Sequence, residues 1–345
     1  MKDYKNQNLR DNGKNNKTDK RGNGNDLHLI CMDDVEAKEV EWLWYPYIPY
    51  GKLTILQGDP GEGKTTMVLQ LVALLSKGEL LPGEDKDVES DAPAKEPVNV
   101  IYQTAEDGLA DTVKPRLVSA GADCKRVLVI DESRTNLSMT DERIEQALKE
   151  TGAKLLILDP IQAYLGAEVD MHRANEIRPV MKRLGDLAEK YGCAIILIGH
   201  MNKASGSKST YRGLGSIDFQ ATARSVLVVG RVKDDPTLRV MAHDKSSLAP
   251  EGKSIAFRLD KESGFRWEGE CDMTVEELLS GDVKGQKIKR AKAFLAEMLK
   301  DGRRLQKEIE EASQEQGIRS KTLRNAKQEM NVGSEKVGNR WYWYL

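Results

Sequence analysis

Short, nearly continuous apolar runs alternate with helical patterns through the first two thirds of this chain. KLTILQ (52–57), VNVIYQT (98–104), RVLVID (126–131), KLLILD (154–159) and CAIILIGH (193–200) read as strands buried on both faces. Between them, TTMVLQLVALLSKG (65–78) is an apolar helix, residues 107–120 are helical, DERIEQALKET (141–151) is a helix, and a long amphipathic helix covers Ala174–Tyr191. Strands alternating with helices predict an α/β fold with a mostly parallel sheet covered on both faces. The rhythm changes over 224–268. SVLVVGRV, TLRVMAHD, SIAFRLD and GFRWEG are short and turn-separated, which predicts antiparallel strands. The rings of Trp42, Trp44, Tyr45 and Tyr47 are expected to pack against the first strand.

Four segments follow from these patterns. Residues 1–26 are nearly all Asn, Lys, Asp and Gly and predict a disordered tail. Residues 27–269 form the main domain, 270–286 read as a linker, and 287–345 form a small helical domain. In that last segment KIKRAKAFLAEMLKDG, KEIEEASQEQ and SKTLRNAKQEM predict three helices, with a turn at Gly317 and Ile318 and Ser320 as a helix cap. GSEKVGNRWYWYL predicts a hairpin, so the whole looks like a winged helix-turn-helix.

The chemistry concentrates at Gly58–Thr65, GDPGEGKT, a phosphate-binding loop of the form G-x-x-x-x-G-K-[ST]. Gly58, Asp59, Pro60, Gly61, Glu62 and Gly63 supply backbone N–H groups to phosphate oxygens. Lys64 reaches the β- and γ-phosphates, the Thr65 hydroxyl is placed to ligate Mg²⁺, and Thr66 continues into the helix. ATP and Mg²⁺ are the cofactors this implies. Asp159 ends an apolar strand, as the carboxylate that accompanies such a metal does. Glu106, just past VIYQT, is placed to activate a water; Asp107 competes for that role or caps the next helix. His200 ends its strand where a polar group can sense the γ-phosphate. The Gly/Ser-rich loop after it carries Lys203, Lys208 and Arg212, as a loop gripping nucleic-acid phosphates would.

The order of these motifs (GKLTILQGDPGEGKTT, YQTAED, LLILDPIQAYL, then GHMNK and YRGLGSIDFQATARSVLVV) resembles the RecA-like ATPase core. It is most similar to the RepA-type branch related to hexameric replicative helicases such as DnaB, over residues 40–268. The resemblance implies ATP between neighbouring subunits of a homo-oligomeric ring, with single-stranded or duplex DNA in its channel. It implies helicase work in replication of a mobile element or phage, alongside other replication proteins. The rival readings are an ATP-gated DNA-binding regulator and a RecA/RadA-like recombination ATPase. In such rings a neighbour supplies a cation to the γ-phosphate. The relatives carry K-x-R where this chain has RVMAHDKSS, which offers His243 and Lys245 but no Arg; Arg224 is the rival.

Charge adds one point. The chain's net charge is −2, but residues 284–345 hold fifteen Lys/Arg against eight Asp/Glu, a net of +7 that leaves −9 on the rest. A basic C-terminal segment suits a polyanion, with Lys321, Arg324 and Lys327 along the third helix and Arg340 in the hairpin. Four widely spaced cysteines indicate neither zinc nor a disulfide framework. No apolar run spans a bilayer and the N-terminus lacks an apolar leader, so a cytoplasmic protein is expected.

Overall fold

Strands apolar on both faces need cover on both faces, and helices supply it here. The computed structural model describes residues 29–84, 95–166, 169–201, 217–280 and 283–345. The chain divides into two compact units at Glu39/Val40. Of the first unit the described residues carry one 3-10 turn, Met32–Asp34, with Leu29, Ile30 and Met32 exposed. The expected tail 1–26 lies outside the described residues.

The second unit opens with a small antiparallel pair, β1 (Trp42–Trp44) and β2 (Ile48–Pro49). The main run then follows: β3 (Leu53–Gly58), α1 (Lys64–Lys77), β4 (Val100–Thr104), α2 (Lys114–Ser119), β5 (Val127–Leu128), α3 (Glu142–Thr151), β6 (Leu155–Asp159), α4 (Ala174–Tyr191), β7 (Ala194–His200) and α5 (Ile217–Thr222). Next come β8 (Ser225–Val232), β9 (Asp235–Ser246), β10 (Ser254–Asp260), β11 (Gly264–Cys271), α6 (Val275–Ser280) and α7 (Val283–Leu299). The chain ends with β12 (Arg304–Leu305), α8 (Gln306–Glu315), α9 (Ser320–Glu329), β13 (Gly333–Val337) and β14 (Arg340–Tyr344).

One nine-stranded sheet runs β11-β10-β9-β8-β3-β7-β6-β4-β5. From β8 to β5 the pairings are parallel; from β8 to β11 they are antiparallel. This is the RecA-like α/β core the sequence pattern predicts. It also corrects one expectation. The late strands extend the same sheet, and β8 runs parallel to β3 while pairing antiparallel with β9. The reason is visible in SVLVVG: six consecutive buried positions belong to a strand covered on both faces.

On one face α1 and α2 place Met67, Val68, Leu71 and Leu117 against Leu56, Tyr102 and Ile157. On the other, α3, α4 and α5 bring Ile144, Leu148, Ile177, Leu184 and Phe219 to Ile55, Ile101, Leu156 and Ile195. The aromatic cluster packs as expected. Trp44 and Tyr47 are buried with ring centroids 4.6 Å apart, and Trp44 also meets Trp267 of β11.

Residues 270–286, read as a linker, hold the end of β11, all of α6 and the start of α7. Val275 and Leu278 of α6 pack on Val228, Val232, Val240 and Ala242. Gly230 permits this: a Cβ there would lie 2.9 Å from Leu278 Cγ. Beyond α6, three helices and the sheet β12-β14-β13 enclose a core of their own around Phe294, Leu295, Ile309, Leu323 and Trp343. The helix cap differs from expectation. Arg319 holds the N-cap position of α9 without a side-chain cap bond, and Ser320 is already helical. Among the described residues no helix is long and apolar enough to cross a membrane.

His243 of β9 illustrates how burial sets charge in this sheet. Gly252 N–H donates to its Nδ1 at 3.1 Å, so the proton sits on Nε2 and faces Ser225 Oγ at 3.0 Å. Burial pushes its pKa from 6.5 down to about 4. The unfolded chain therefore binds the proton first as pH falls. The stability contributed by neutral His243 is present above pH 6.5 and is lost as pH falls toward 4. Urea titrations across that window are expected to show the parent losing on the order of 3 kcal/mol more than His243→Gln does. Parallel pH profiles for the two proteins would refute this.

Candidate active site

The phosphate-loop motif folds as a strand, a loop and a helix. β3 ends at Gly58, which is buried against β8; a Cβ there would stand 2.2 Å from Val229 O, so only glycine fits. Asp59, Pro60 and Gly61 are exposed, and Gly61 and Gly63 take positive φ of 79° and 88°. Gly63 is the N-cap of α1 and provides no side chain, which leaves the first N–H groups of α1 to the loop. Lys64, 5% exposed, lies along this cradle. Its Nζ donates to Gly58 O at 2.8 Å and Asp59 O at 2.9 Å, and lies 3.4 Å from His200 Nδ1. Burial pulls its pKa down, against the pull of Asp159, Asp59, Glu62 and Glu106. Thr66 follows in the first turn of α1, half-buried.

The sheet topology brings the other groups to this loop. β7 lies between β3 and β6, so His200 and Asp159 end strands on either side of one seam. Thr65 Oγ1 donates to Asp159 Oδ2 at 2.7 Å. The Tyr102 hydroxyl of β4 donates to the same oxygen at 3.1 Å. Burial raises the Asp159 pKa, and these two hydrogen bonds oppose it. A hydroxyl and a carboxylate are hard oxygen donors, and a single carboxylate suits an ion that shares its shell with phosphates and water. The pair therefore fits Mg²⁺.

Glu106 and Asp107 separate cleanly. Asp107 accepts from Arg116 Nη1 at 2.8 Å and its backbone N–H meets Thr104 Oγ1. It does not cap a helix. The exposed Glu106 carboxylate faces His200, with Oε1 to Nε2 at 3.8 Å. Lys64, His200 and Glu106 thus form a row along the carboxyl edge of the sheet.

The remaining sites lie elsewhere. Lys245 and Arg224 sit at the opposite end of β8 and β9 from the phosphate loop, since Lys245 pairs in register with Val226. Lys245 Nζ is spent on the carbonyls of Gln220 and Ala223, at 2.6 and 2.8 Å, at the end of α5. Arg224 is exposed. His243 is no cation at neutral pH, for the reasons given above. Lys203, Lys208 and Arg212 lie outside the described residues. On α9, Lys321 and Arg324 are exposed. Lys327 instead lies over the Trp343 ring at 4.4 Å and donates to Ser334 Oγ.

Sequence reasoning missed Tyr102, Arg231, Arg239 and the carboxylate of Glu62. Arg231 donates to Gly61 O at 3.2 Å and stands 3.7 Å from Glu62 Oε1. Arg239, its register partner on β9, is buried beneath Gly63. A charged residue closing the apolar run SVLVVG was the signal available for Arg231.

A family described as "AAA domain" matches residues 29–206. The DNA repair protein RadA of Halalkalibacterium halodurans is 30% identical over 173 residues, covering 49% of this chain and 32% of that protein. RadA of Bacillus subtilis is 27% identical over 156 residues, covering 44% of this chain and 28% of that protein. The chain thus spans about a third of the length of the curated relatives it matches. Among solved structures, a KaiC-like protein of Pyrococcus horikoshii superposes with a TM-score of 0.45 at 19% identity, over 67% of this chain and 97% of its own. A second solved structure, of an isolated ATPase domain, gives 0.47 at 14%, over 63% and 84%.

The separation of the two neighbouring carboxylates generates a test. Glu106→Gln keeps nucleotide affinity and loses at least about a hundredfold in ATP turnover, because an amide cannot take a proton from water. Asp107→Asn, which breaks only a partly exposed ion pair, leaves turnover within about threefold. Steady-state ATPase assays on both variants check this, and the reverse ranking would reassign the base.

Proposed function

The chain belongs to the AAA-domain family, and from that premise we propose that it is a Mg²⁺-dependent ATPase that works on DNA as a ring of identical subunits. The observation that carries the reading is the convergence of Lys64, Thr65, Asp159, His200 and Glu106 at one sheet edge. Thr65 and Asp159 would hold Mg²⁺, which when bound supplies positive charge against the polyphosphate. Lys64 exchanges the Gly58 and Asp59 carbonyls for β- and γ-phosphate oxygens. Glu106 accepts the proton of the attacking water, and His200, between Lys64 and Glu106, reports the γ-phosphate to the loop that follows β7. Arg224 is the favoured trans-acting cation, because Lys245 already caps α5.

The finer role we favour is RepA-like helicase work in replication of a mobile element or phage, by a hexamer that also engages other replication proteins. The motif order supports it. The similarity to DNA repair protein RadA favours a second reading, a recombination ATPase that does not unwind. ATPase rate with and without single-stranded DNA, strand displacement on a forked duplex, and the mass of the assembled species distinguish these. No stimulation by DNA would end both.

The C-terminal module reads as a winged helix whose α9 meets DNA. Because Lys327 is engaged with Trp343 and Ser334, the test uses the full chain with Lys321→Glu and Arg324→Glu only. Two lost phosphate contacts reduce the slope of log affinity against log salt by about two. Fluorescence anisotropy with a labelled duplex measures it. Equal slopes and affinities for parent and variant would reassign this face to protein docking.

A further inference from the structure

Tyr102 is buried completely in β4, directly beside β6 in register with Ile157. A buried phenol needs an acceptor, and the one it finds is Asp159 Oδ2, at 3.1 Å. The Thr65 hydroxyl donates to that same oxygen at 2.7 Å. Two donors arriving from different elements fix a carboxylate more firmly than one. The first comes from α1, whose start moves with the phosphate loop. The second comes from a ring locked among Leu56, Val100 and Ile157 in the core. Both bonds fall on Oδ2, so Oδ1 is the oxygen left for the metal shell.

We propose that Tyr102 is a positioning residue that holds the Asp159 carboxylate in the orientation Mg²⁺ requires. The proposal rests on the reading of this site as an Mg²⁺–nucleotide site. Nothing in the apolar run VIYQT selects a phenol for packing alone, since Phe fills the same volume without a polar atom to satisfy.

Calorimetric titration of ADP into the full chain, with Mg²⁺ and separately with EDTA, tests it. Parent protein binds ADP more tightly with Mg²⁺ than with EDTA. Tyr102→Phe keeps its EDTA affinity within about twofold and loses roughly three- to tenfold of the Mg²⁺-dependent gain, the worth of one hydrogen bond. In an Asp159→Asn background the same change leaves the residual Mg²⁺ gain where it was, because the group being positioned is gone. Should Tyr102→Phe melt well below the parent, 4-fluorophenylalanine at position 102 fills the space without donating, and the titrations are repeated on it. An undiminished Mg²⁺ gain, an equal loss in both arms, or losses that add in the Asp159→Asn background would each overturn the proposal. A parent that binds no ADP under either condition overturns the site reading instead, and this inference with it.

Discussion

A carboxylate buried at the edge of a sheet is the constraint from which the rest of this site follows. Asp159 is 7% exposed, and burial disfavours its charge. Such a group stays ionised only where donors meet it. Here they come from Thr65 and Tyr102, which lie far apart in sequence on α1 and β4. Both reach Asp159 only if β6 lies beside β4 and if α1 starts at the carboxyl edge of the same sheet. The parallel order β3-β7-β6-β4 satisfies both conditions at once. It also leaves His200, on the strand between, next to Lys64. Fold and chemistry are thus coupled through a few short polar contacts above two apolar cores.

The antiparallel half of the sheet has its own part in this. Arg231 and Arg239 face each other across β8 and β9, an arrangement that costs energy unless something lies between them. Glu62 offsets part of that repulsion, and the carbonyls of Thr237 and Leu259 take up Arg239 Nη1 at 3.0 and 3.1 Å. Gly63 completes the fit, since a Cβ there would lie 3.1 Å from Arg239 Cδ. The middle glycine-rich stretch of the phosphate loop therefore rests on strands that the sequence pattern assigns to a separate rhythm. An Ala at Gly63 would meet both a positive φ and an arginine stem.

What was legible in the sequence follows from which interactions are local. The parallel strands, α1, α3 and α4 announce themselves by apolar period, and the phosphate loop by a motif whose glycines have no substitute. Asp159, Glu106 and His200 were found because strand ends are where such chemistry sits. The choice between Glu106 and Asp107 was not local; it depended on Arg116, nine residues on and one turn into α2. The residues read as a linker hid a capping box. Thr274 N–H bonds Glu277 Oε2 at 2.9 Å and Glu277 N–H returns to Thr274 Oγ1 at 3.3 Å. The T-x-x-E spacing was there to be read, but six helical residues give too little period to draw attention. Tyr102 could not have been found from sequence, because its meaning lies in a neighbour 57 residues away.

Charge counting shows the same limit in the C-terminal module. Its net of +7 suggests a continuous basic surface. Much of that charge is already spoken for within the module. Lys292 pairs with Glu329, Lys300 with Glu297, Arg303 with Glu335 and Lys307 with Glu311. Lys327 lies over Trp343, and burial lowers its pKa. These contacts are worth little individually at an exposed surface, so a polyanion can compete for them. Lys327 differs, because withdrawing it uncovers the tryptophan that anchors β14 to the helices. The cations offered without structural cost are therefore fewer than the count implies. Lys321 and Arg324 lie three residues apart on one exposed face of α9, which is the spacing of neighbours on a helix surface. Affinity for a polyanion would then come from a narrow stripe rather than from net charge, and its salt dependence should reflect the stripe.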